Sequence, residues 1–298
     1  MKKLMYTDNI GFDMNDWEHE LIKKVFAGVG CIMAITEDGR TLQKISDQTC
    51  SASVKYWTRI NSISLSEWFP GLAIGLVSDG TCLIAKKPLR KLIDVQESHE
   101  QIPFDIVNQR IKSWKNIIQT AVSDAYFAVD SDGRVFYAAT NKYTEKDYYE
   151  VCLWRNICRI VVGLSNSVIG ITKDGRMMCA GANLRQGPHG DISKKISSYT
   201  DVVDVCLSGS ECESIMIAHD DGMVEEINLG ILPVKSLQSK EKVLYSHYGY
   251  FHYILDSERH LLTEECKKLY PTFPSNPVID SVAIGDHGYP FVIALTEI

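Results

Sequence analysis

Short apolar runs alternate with polar breaks along the whole chain, and one arrangement of these runs recurs. The stretch WRNICRIVVGLSNSVIGITKDGRMMCAGANLRQG, residues 154–187, contains an aromatic residue, two alternating runs, an Asp-Gly pair and a run of small residues. Asp-Gly between alternating apolar runs predicts a β-hairpin, because both central turn residues must tolerate positive φ. The stretch therefore predicts three short strands joined by turns.

The Asp-Gly pair occurs five times in this context, and its glycines are 41, 53, 42 and 47 residues apart. An aromatic residue precedes each glycine by 19 to 23 residues. The pairs are Trp17 with Gly39, Trp57 with Gly80, Trp114 with Gly133, Trp154 with Gly175, and Tyr199 with Gly222. We expect the aromatic residues to pack between repeats and the aspartates to form turns.

Two weaker copies follow the five clear ones. Residues 242–262 carry Glu258-Arg259 at the Asp-Gly position, and residues 278–298 end where a hairpin turn is expected. The N-terminal KKLMYTDNIG is similar to the third strand of the clear copies, so we expect it to complete the last repeat and remove exposed sheet edges. Repeats of about 40–45 residues made of short strands predict an all-β fold, a seven-bladed β-propeller, as one domain over residues 1–298.

Two insertions interrupt the repeat. They lie around Ile93–Ile111 and Thr140–Val151. For the first insertion, a short helix and a long loop both remain open.

The order of elements in the repeat resembles that of the regulator of chromosome condensation (RCC1-like) family. Residues 154–187 give the fullest match, and Gly181-Ala182-Asn183 supplies the Gly-x-Asn element. The resemblance covers nearly the whole chain and implies a seven-bladed propeller. The eukaryotic founder of the family is a nucleotide exchange factor that binds nucleosomes, whereas short-repeat bacterial members of this fold act as binding surfaces. The second role is the closer analogy for this chain.

Charge and composition narrow the possible partners and the compartment. A net charge of −7 argues against nucleic acid as the main partner, because phosphate binding needs a basic surface. The best candidate for a local basic patch is Lys86, Lys87, Arg90 and Lys91, for which a solvated loop is the simpler interpretation. No apolar run approaches the roughly 20 residues that span a bilayer, and no secretory apolar segment follows Lys2 and Lys3. Nine scattered cysteines favour free thiols in a reducing compartment, and together these features predict a cytoplasmic protein. We also expect a monomer.

The motifs that carry chemistry do not predict a catalytic or metal site. Residues 181–190 lack the Lys-Ser of a phosphate-binding loop, and neither His-Glu pair is followed by the second histidine of a zinc protease. We therefore expect no cofactor, no metal and no enzyme activity. Two alternatives use the central channel: a propeller-type carbohydrate-active enzyme, whose paired carboxylates need no sequence signal, and a small-ligand binder.

Loops that differ between copies are the best candidates for function, because the repeated scaffold is constant. We call the face that carries the turns between first and second strands the loop face; the Asp-Gly turns lie on the opposite face. Aromatic side chains desolvate much area at low entropic cost. The predicted partner-binding residues are Trp68, Phe69, Tyr126, Tyr148, His247, Tyr248, Tyr250, His287 and Tyr289. We expect a non-catalytic scaffold that presents them to a protein partner; for each, packing between blades is the alternative.

Overall fold

The computed structural model of the chain is mostly β-structure. It describes residues 2–6, 10–28, 30–45, 54–66, 72–85, 101–163, 167–186, 191–208, 214–228, 236–238, 243–245, 252–255, 261–263, 279–286 and 290–297. Within these residues, 22 strands form seven antiparallel sheets. We call each sheet a blade and number the blades from the N-terminus.

The strands of each blade follow one another in the chain, except in blade 7. Blade 1 contains β2 (Ile22–Gly28), β3 (Cys31–Thr36) and β4 (Thr41–Ile45); blade 2 contains β5 (Ile60–Leu65), β6 (Ala73–Val77) and β7 (Cys82–Ile84); blade 3 contains β8 (Ile117–Val122), β9 (Ala125–Asp130) and β10 (Val135–Ala139); blade 4 contains β11 (Ile157–Gly163), β12 (Ser167–Thr172) and β13 (Met177–Ala180). Blade 5 contains β14 (Val202–Ser208), β15 (Ser214–His219), β16 (Met223–Asn228) and β17 (Ser236–Gln238); blade 6 contains β18 (Val243–Tyr245), β19 (His252–Leu255) and β20 (Leu261–Thr263); blade 7 contains β21 (Ile279–Asp286), β22 (Pro290–Glu297) and β1 (Lys2–Tyr6).

The N-terminal strand closes the propeller. β1 pairs antiparallel with β22, from Lys2 opposite Glu297 to Tyr6 opposite Ile293. The first strands of successive blades contact one another in a complete ring, including blade 7 with blade 1. Both the seven blades and the closure are therefore confirmed. The fourth strand of blade 5, which pairs with β16, is a feature that the repeat did not predict.

The hydrophobic core lies between neighbouring blades. The middle strands β3, β9 and β12 are buried at every position because another blade covers each face. Each of the four repeated tryptophans is buried in a cluster that joins two blades. Trp154 packs against Gly170, where an added Cβ would stand 2.8 Å from ring atoms Cε3 and Cζ3. Gly75 and Trp57 repeat this contact in blade 2. The predicted packing role of the tryptophans is confirmed.

The Asp-Gly turns of blades 2, 3 and 4 each bond to the first strand of the next blade. Gly133 has φ of +79°, and an added Cβ would meet the backbone of Asn156 at 3.0 Å, so this turn requires glycine. Its carbonyl oxygen accepts a hydrogen bond from the N–H of Ile157, the first residue of β11, at 3.0 Å. Gly175 and Val202 form the equivalent bond at 2.9 Å. The turns and the starts of the first strands therefore lie on the same face, the Asp-Gly face.

Short helices lie in the connections between blades. In the described parts of the chain, the α-helices are Phe104–Lys112, Lys142–Asp147, Ala182–Gln186 and Ser193–Ser197, and the 3-10 helices are Asn15–Trp17 and Tyr149–Leu153. The first insertion thus contains a short helix, which was one of the two possibilities that the sequence left open. None of the helices in the described ranges is long and apolar enough to cross a membrane.

Candidate functional site

The connection between blades 3 and 4, residues 140–156, is fixed to the core along its length. Asn141 caps the helix that follows it, because its Oδ1 accepts a hydrogen bond from the N–H of Thr144 at 2.9 Å. Tyr148 and Val151 are fully buried between the two blades. The segment is therefore held in one conformation by packing and by a helix cap.

Four large apolar side chains on the connections around blade 3 point away from this core. They are Ile106, Tyr143, Tyr149 and Leu153, which are 44, 45, 64 and 66 % exposed, and we call them the insert side chains. An ion pair between Arg110 Nη1 and Glu145 Oε1 at 2.6 Å joins the helix that carries Ile106 to the helix that carries Tyr143. The two insertions therefore lie side by side on the outside of blade 3.

Two of the predicted partner-binding residues are buried, so the prediction that they face a partner is wrong. Tyr126 belongs to the middle strand β9, and its side chain packs in the cluster between blades 2 and 3. Tyr148 packs edge-on against Phe127, with ring centroids 5.0 Å apart, in the cluster between blades 3 and 4. The two tyrosines lie on opposite faces of blade 3, and the structure does not bring them together. For both residues, the alternative of packing between blades holds.

Tyr148 instead fastens the connection to a turn on the loop face. Its hydroxyl donates a hydrogen bond to Oδ1 of Asp124, in the turn between β8 and β9, at 3.3 Å. Ser123 Oγ donates to the same oxygen at 2.9 Å. Burial raises the pKa of Asp124, and the two hydrogen bonds oppose that shift only in part. This carboxyl is an anchor for the connection between blades 3 and 4.

The other seven predicted residues, Trp68, Phe69, His247, Tyr248, Tyr250, His287 and Tyr289, lie outside the described residues. Their assignment to a binding surface stays a prediction.

A pocket of about 220 Å³ opens on the wall of the central channel, between β5, β8 and β11. Its polar groups already bond across the blade boundaries. The side-chain amide of Gln119 bonds both the N–H and the carbonyl oxygen of Ile160, and Ser64 Oγ donates to the carbonyl oxygen of Thr120 at 2.7 Å. Arg159 Nη2 forms an ion pair with Asp204 Oδ1 at 2.9 Å.

These contacts form a belt that sequence analysis missed. First strands are edge strands, with backbone groups that face the channel, and an unprotected edge is prone to pair with another chain. The belt residues that reach to the following blade are Lys24, Ser64, Gln119, Arg159 and Ser281. Four of them stand directly after a β-bulge. For Lys24, Arg159 and Ser281 the available signal was a polar residue directly before the second apolar residue of Ile/Val-x-x-Ile/Val. Gln119 and Ser64 do not occupy that position, so this pattern does not find them.

The described residues contain no cluster of three or more His, Cys, Asp or Glu side chains able to hold a metal ion. The six cysteines in these ranges are free thiols, and burial raises the pKa of Cys82 to about 12 and that of Cys179 to about 11. Such thiols are protonated at neutral pH and are poor nucleophiles.

Comparison with known proteins supports the fold and does not assign a function. No family model matches the chain, and no curated protein matches it. A crystal structure of Kap60 bound to yeast RCC1 (Prp20) matches with a TM-score of 0.59 and 11% identity, covering 97% of this chain and 83% of that one. The β-propeller domain of Myceliophteria thermophila Cps50 (Swd1) matches with a TM-score of 0.51 and 11% identity, covering 93% of this chain and 97% of that one. The chain therefore has the fold of a seven-bladed β-propeller and is similar in structure to RCC1-type propellers.

Proposed function

We propose that the protein is a non-catalytic scaffold that binds another protein. The observation that carries the proposal is the display of the insert side chains on rigid connections. Tyr149 and Leu153 are largely exposed at the two ends of one short 3-10 helix, while Val151 between them is fully buried. Folding requires the buried side chain but gives no reason for the two exposed ones, and preorganised exposed aromatic and aliphatic groups are typical of binding anchors.

The polar groups of the channel wall also support a scaffold. Gln119, Ser64 and Arg159 are each engaged with a neighbouring blade, so they hold the ring together. A catalytic group must instead be positioned to reach a substrate. The polar side chains of the channel wall thus bond to neighbouring blades, whereas the insert side chains on the outside of blade 3 are exposed and apolar. A partner that binds the outside of blade 3 is consistent with this arrangement.

The test is affinity capture with the full chain from a lysate of its native host. We expect a Tyr149→Ser, Leu153→Ser double variant to lose a specific protein that the wild type retains. Leu21→Ser is the matched control, because Leu21 is 71 % exposed but lies directly before β2 at the Asp-Gly face. A third arm, Trp68→Ala with Tyr248→Ala, tests the predicted loop-face residues. If all variants capture the same proteins as the wild type, the proposal is wrong.

The pocket in the channel wall favours a second candidate function, the binding of a small ligand. Leu65, Val161 and Val162 provide half-buried apolar surface there, and Arg159 provides a partly exposed cation. Concave sites with apolar walls and few polar groups are typical of ligand pockets. A thermal-shift screen with sugars and small carboxylic acids tests this candidate. A stabilising ligand whose effect disappears in Val162→Trp, which fills the pocket, would favour it over the scaffold.

A further inference from the structure

The mouth of the channel on the Asp-Gly face is surrounded by β-bulges. Six first strands have a register shift directly after their first residue, which leaves one extra residue in the strand. These extra residues are Lys23, Asn61, Ile118, Cys158, Val203 and Asp280. Because the first strands begin beside the Asp-Gly turns, the extra residues surround the mouth on that face.

Three extra residues on adjacent blades form an apolar surface. Ile118 of blade 3 is 50 % exposed, Val203 of blade 5 is 45 % exposed, and Cys158 of blade 4 between them is also exposed. The belt holds the three strands side by side, because the residues that directly follow the extra ones take part in contacts between those blades. We call Ile118, Cys158 and Val203 the apolar arc.

The fold does not require apolar residues at these positions. On blades 1, 2 and 7 the equivalent residues are Lys23, Asn61 and Asp280. The same bulge therefore forms with charged or polar side chains, and one side of the mouth is apolar while the other is polar. An exposed apolar surface with a polar rim is typical of an interaction site.

Blade 5 adds acidic charge at one end of the arc. In blades 1 to 4 the turn aspartate pairs with a nearby arginine, as in Asp38 with Arg40 at 2.7 Å and Asp174 with Arg176 at 3.4 Å. Arg59 with Asp79 and Arg134 with Asp132 complete this set. In blade 5 the position two residues after the turn aspartate is Met223, which is 36 % exposed.

This corner carries three exposed carboxylates, those of Asp201, Asp220 and Asp221, and none of them forms an ion pair with a described residue. Asp201 accepts a hydrogen bond from Thr200 Oγ1, and Asp221 accepts one from the N–H of Met223, so both donors are neutral groups. Acidic side chains beside exposed apolar groups favour a ligand that supplies both apolar and basic groups.

We propose that the apolar arc and the acidic corner of blade 5 bind a segment of another protein in which apolar side chains are flanked by Lys or Arg. The apolar residues of the segment cover Ile118, Cys158 and Val203, and its basic residues face Asp201, Asp220 and Asp221. Nucleic acid and anionic membrane surfaces would be repelled by the same carboxylates. The proposal concerns the channel mouth and does not depend on the insert side chains.

The test selects short random peptides displayed on phage against the immobilised full chain. Selected peptides are then synthesised, and their affinities are measured by fluorescence anisotropy. We expect peptides rich in apolar residues and Lys or Arg, whose affinity falls as the salt concentration rises. Ile118→Ser with Val203→Ser should weaken them about tenfold or more, as expected for truncated anchor residues.

Met223→Arg is the most informative variant. It restores the arginine found at this position in blades 1, 3 and 4, so it is compatible with the fold, and it supplies the missing cation to the acidic corner. We expect it to weaken basic peptides as well, whereas Lys23→Ser, on the polar side of the mouth, should not. Peptides that bind equally to all variants, or the absence of any peptide sensitive to the arc, would overturn the proposal. Dimerisation of the chain that depends on Val203 would also overturn it, by making a second copy the occupant.

Discussion

The side-chain amide of Gln119 on blade 3 forms two hydrogen bonds with the backbone of Ile160 on blade 4. Its Nε2 donates to the carbonyl oxygen of Ile160 at 2.9 Å, and its Oε1 accepts from the N–H of Ile160 at 2.7 Å. One side chain thus occupies the free edge of the next first strand in the way that a neighbouring strand would. Blade 3 is joined to blade 4 through this contact without a continuous sheet.

This pairing predicts a pH-dependent defect in Gln119→Glu. The ionised carboxylate cannot donate to the carbonyl oxygen of Ile160, so we expect a loss of about 1–2 kcal/mol in the free energy of unfolding at neutral pH. A protonated carboxyl can both donate and accept, so the deficit relative to wild type should shrink in acid. Urea denaturation at several pH values measures it. Gln119→Ala is the control, because its deficit should not depend on pH; equal pH profiles for the two variants would contradict the prediction.

The contact between Trp154 and Gly170 predicts a packing defect. Gly170→Ala places a methyl group 2.8 Å from the indole ring, and we expect overpacking to cost about 1–3 kcal/mol of unfolding free energy. Trp154→Leu alone should also destabilise, because it leaves a cavity. In the double variant the methyl group partly fills that cavity, so its loss should be smaller than the sum of the two single losses. Additive losses in a double-mutant cycle would show that the two residues do not interact.

The backbone before the first strands predicts a stabilising substitution. Arg59, Asn116, Asn156 and Asp201 precede the first strands of blades 2 to 5, and all four have φ between +56° and +63°. Asn and Asp tolerate this left-handed conformation, whereas most other side chains are strained in it. Arg59→Asn should therefore raise the free energy of unfolding by about 0.5–1 kcal/mol. The ion pair lost from exposed Arg59, 3.9 Å from Asp79, should cost little. Thermal unfolding checks the prediction; Asn156→Arg is the reciprocal control and should be destabilising.

The repeat in the sequence was sufficient to predict the blades, their closure and the role of the tryptophans. Each of these features depends on residues that recur at one position, such as Trp57 and Trp154 over Gly75 and Gly170. The positions that differ between copies were harder to place. Tyr126 was assigned to the loop face, because alternation along a strand does not reveal that another blade covers both of its faces. Tyr148 lies in an insertion, where no repeated position indicates which side chains are buried.

The belt and the apolar arc were missed for a related reason. Gln119 and Arg159 are ordinary polar residues in an alternating strand, and only the β-bulge before each of them turns the following side chain toward the next blade. Ile118 and Val203 have the composition of core residues, and their exposure also follows from the bulge. A bulge depends on pairing with the middle strand, and a single strand sequence contains no direct record of that pairing.

Asp124 predicts how stability changes with pH. Burial raises the pKa of its carboxyl above the value in the unfolded chain, about 3.9. The contribution of this group to stability is therefore fully present below about pH 4, and it is lost as the pH rises through the folded-state pKa. Asp124→Asn stays neutral and keeps an oxygen that can accept from Ser123 and Tyr148. We expect this variant to gain stability relative to wild type as the pH rises from about 4 to about 7.

The measurement is urea denaturation of both proteins across that pH range, and the chain supplies an internal control of opposite sign. A hydrogen bond from Thr172 lowers the pKa of exposed Asp174, so the stability it contributes is present above the unfolded-state pKa and is lost as the pH falls. Asp174→Asn should therefore differ from wild type mainly at neutral pH, by being less stable there. If Asp124→Asn instead shows the same pH profile as wild type, the carboxyl of Asp124 is hydrated in solution and does not anchor the connection between blades 3 and 4 through Tyr148.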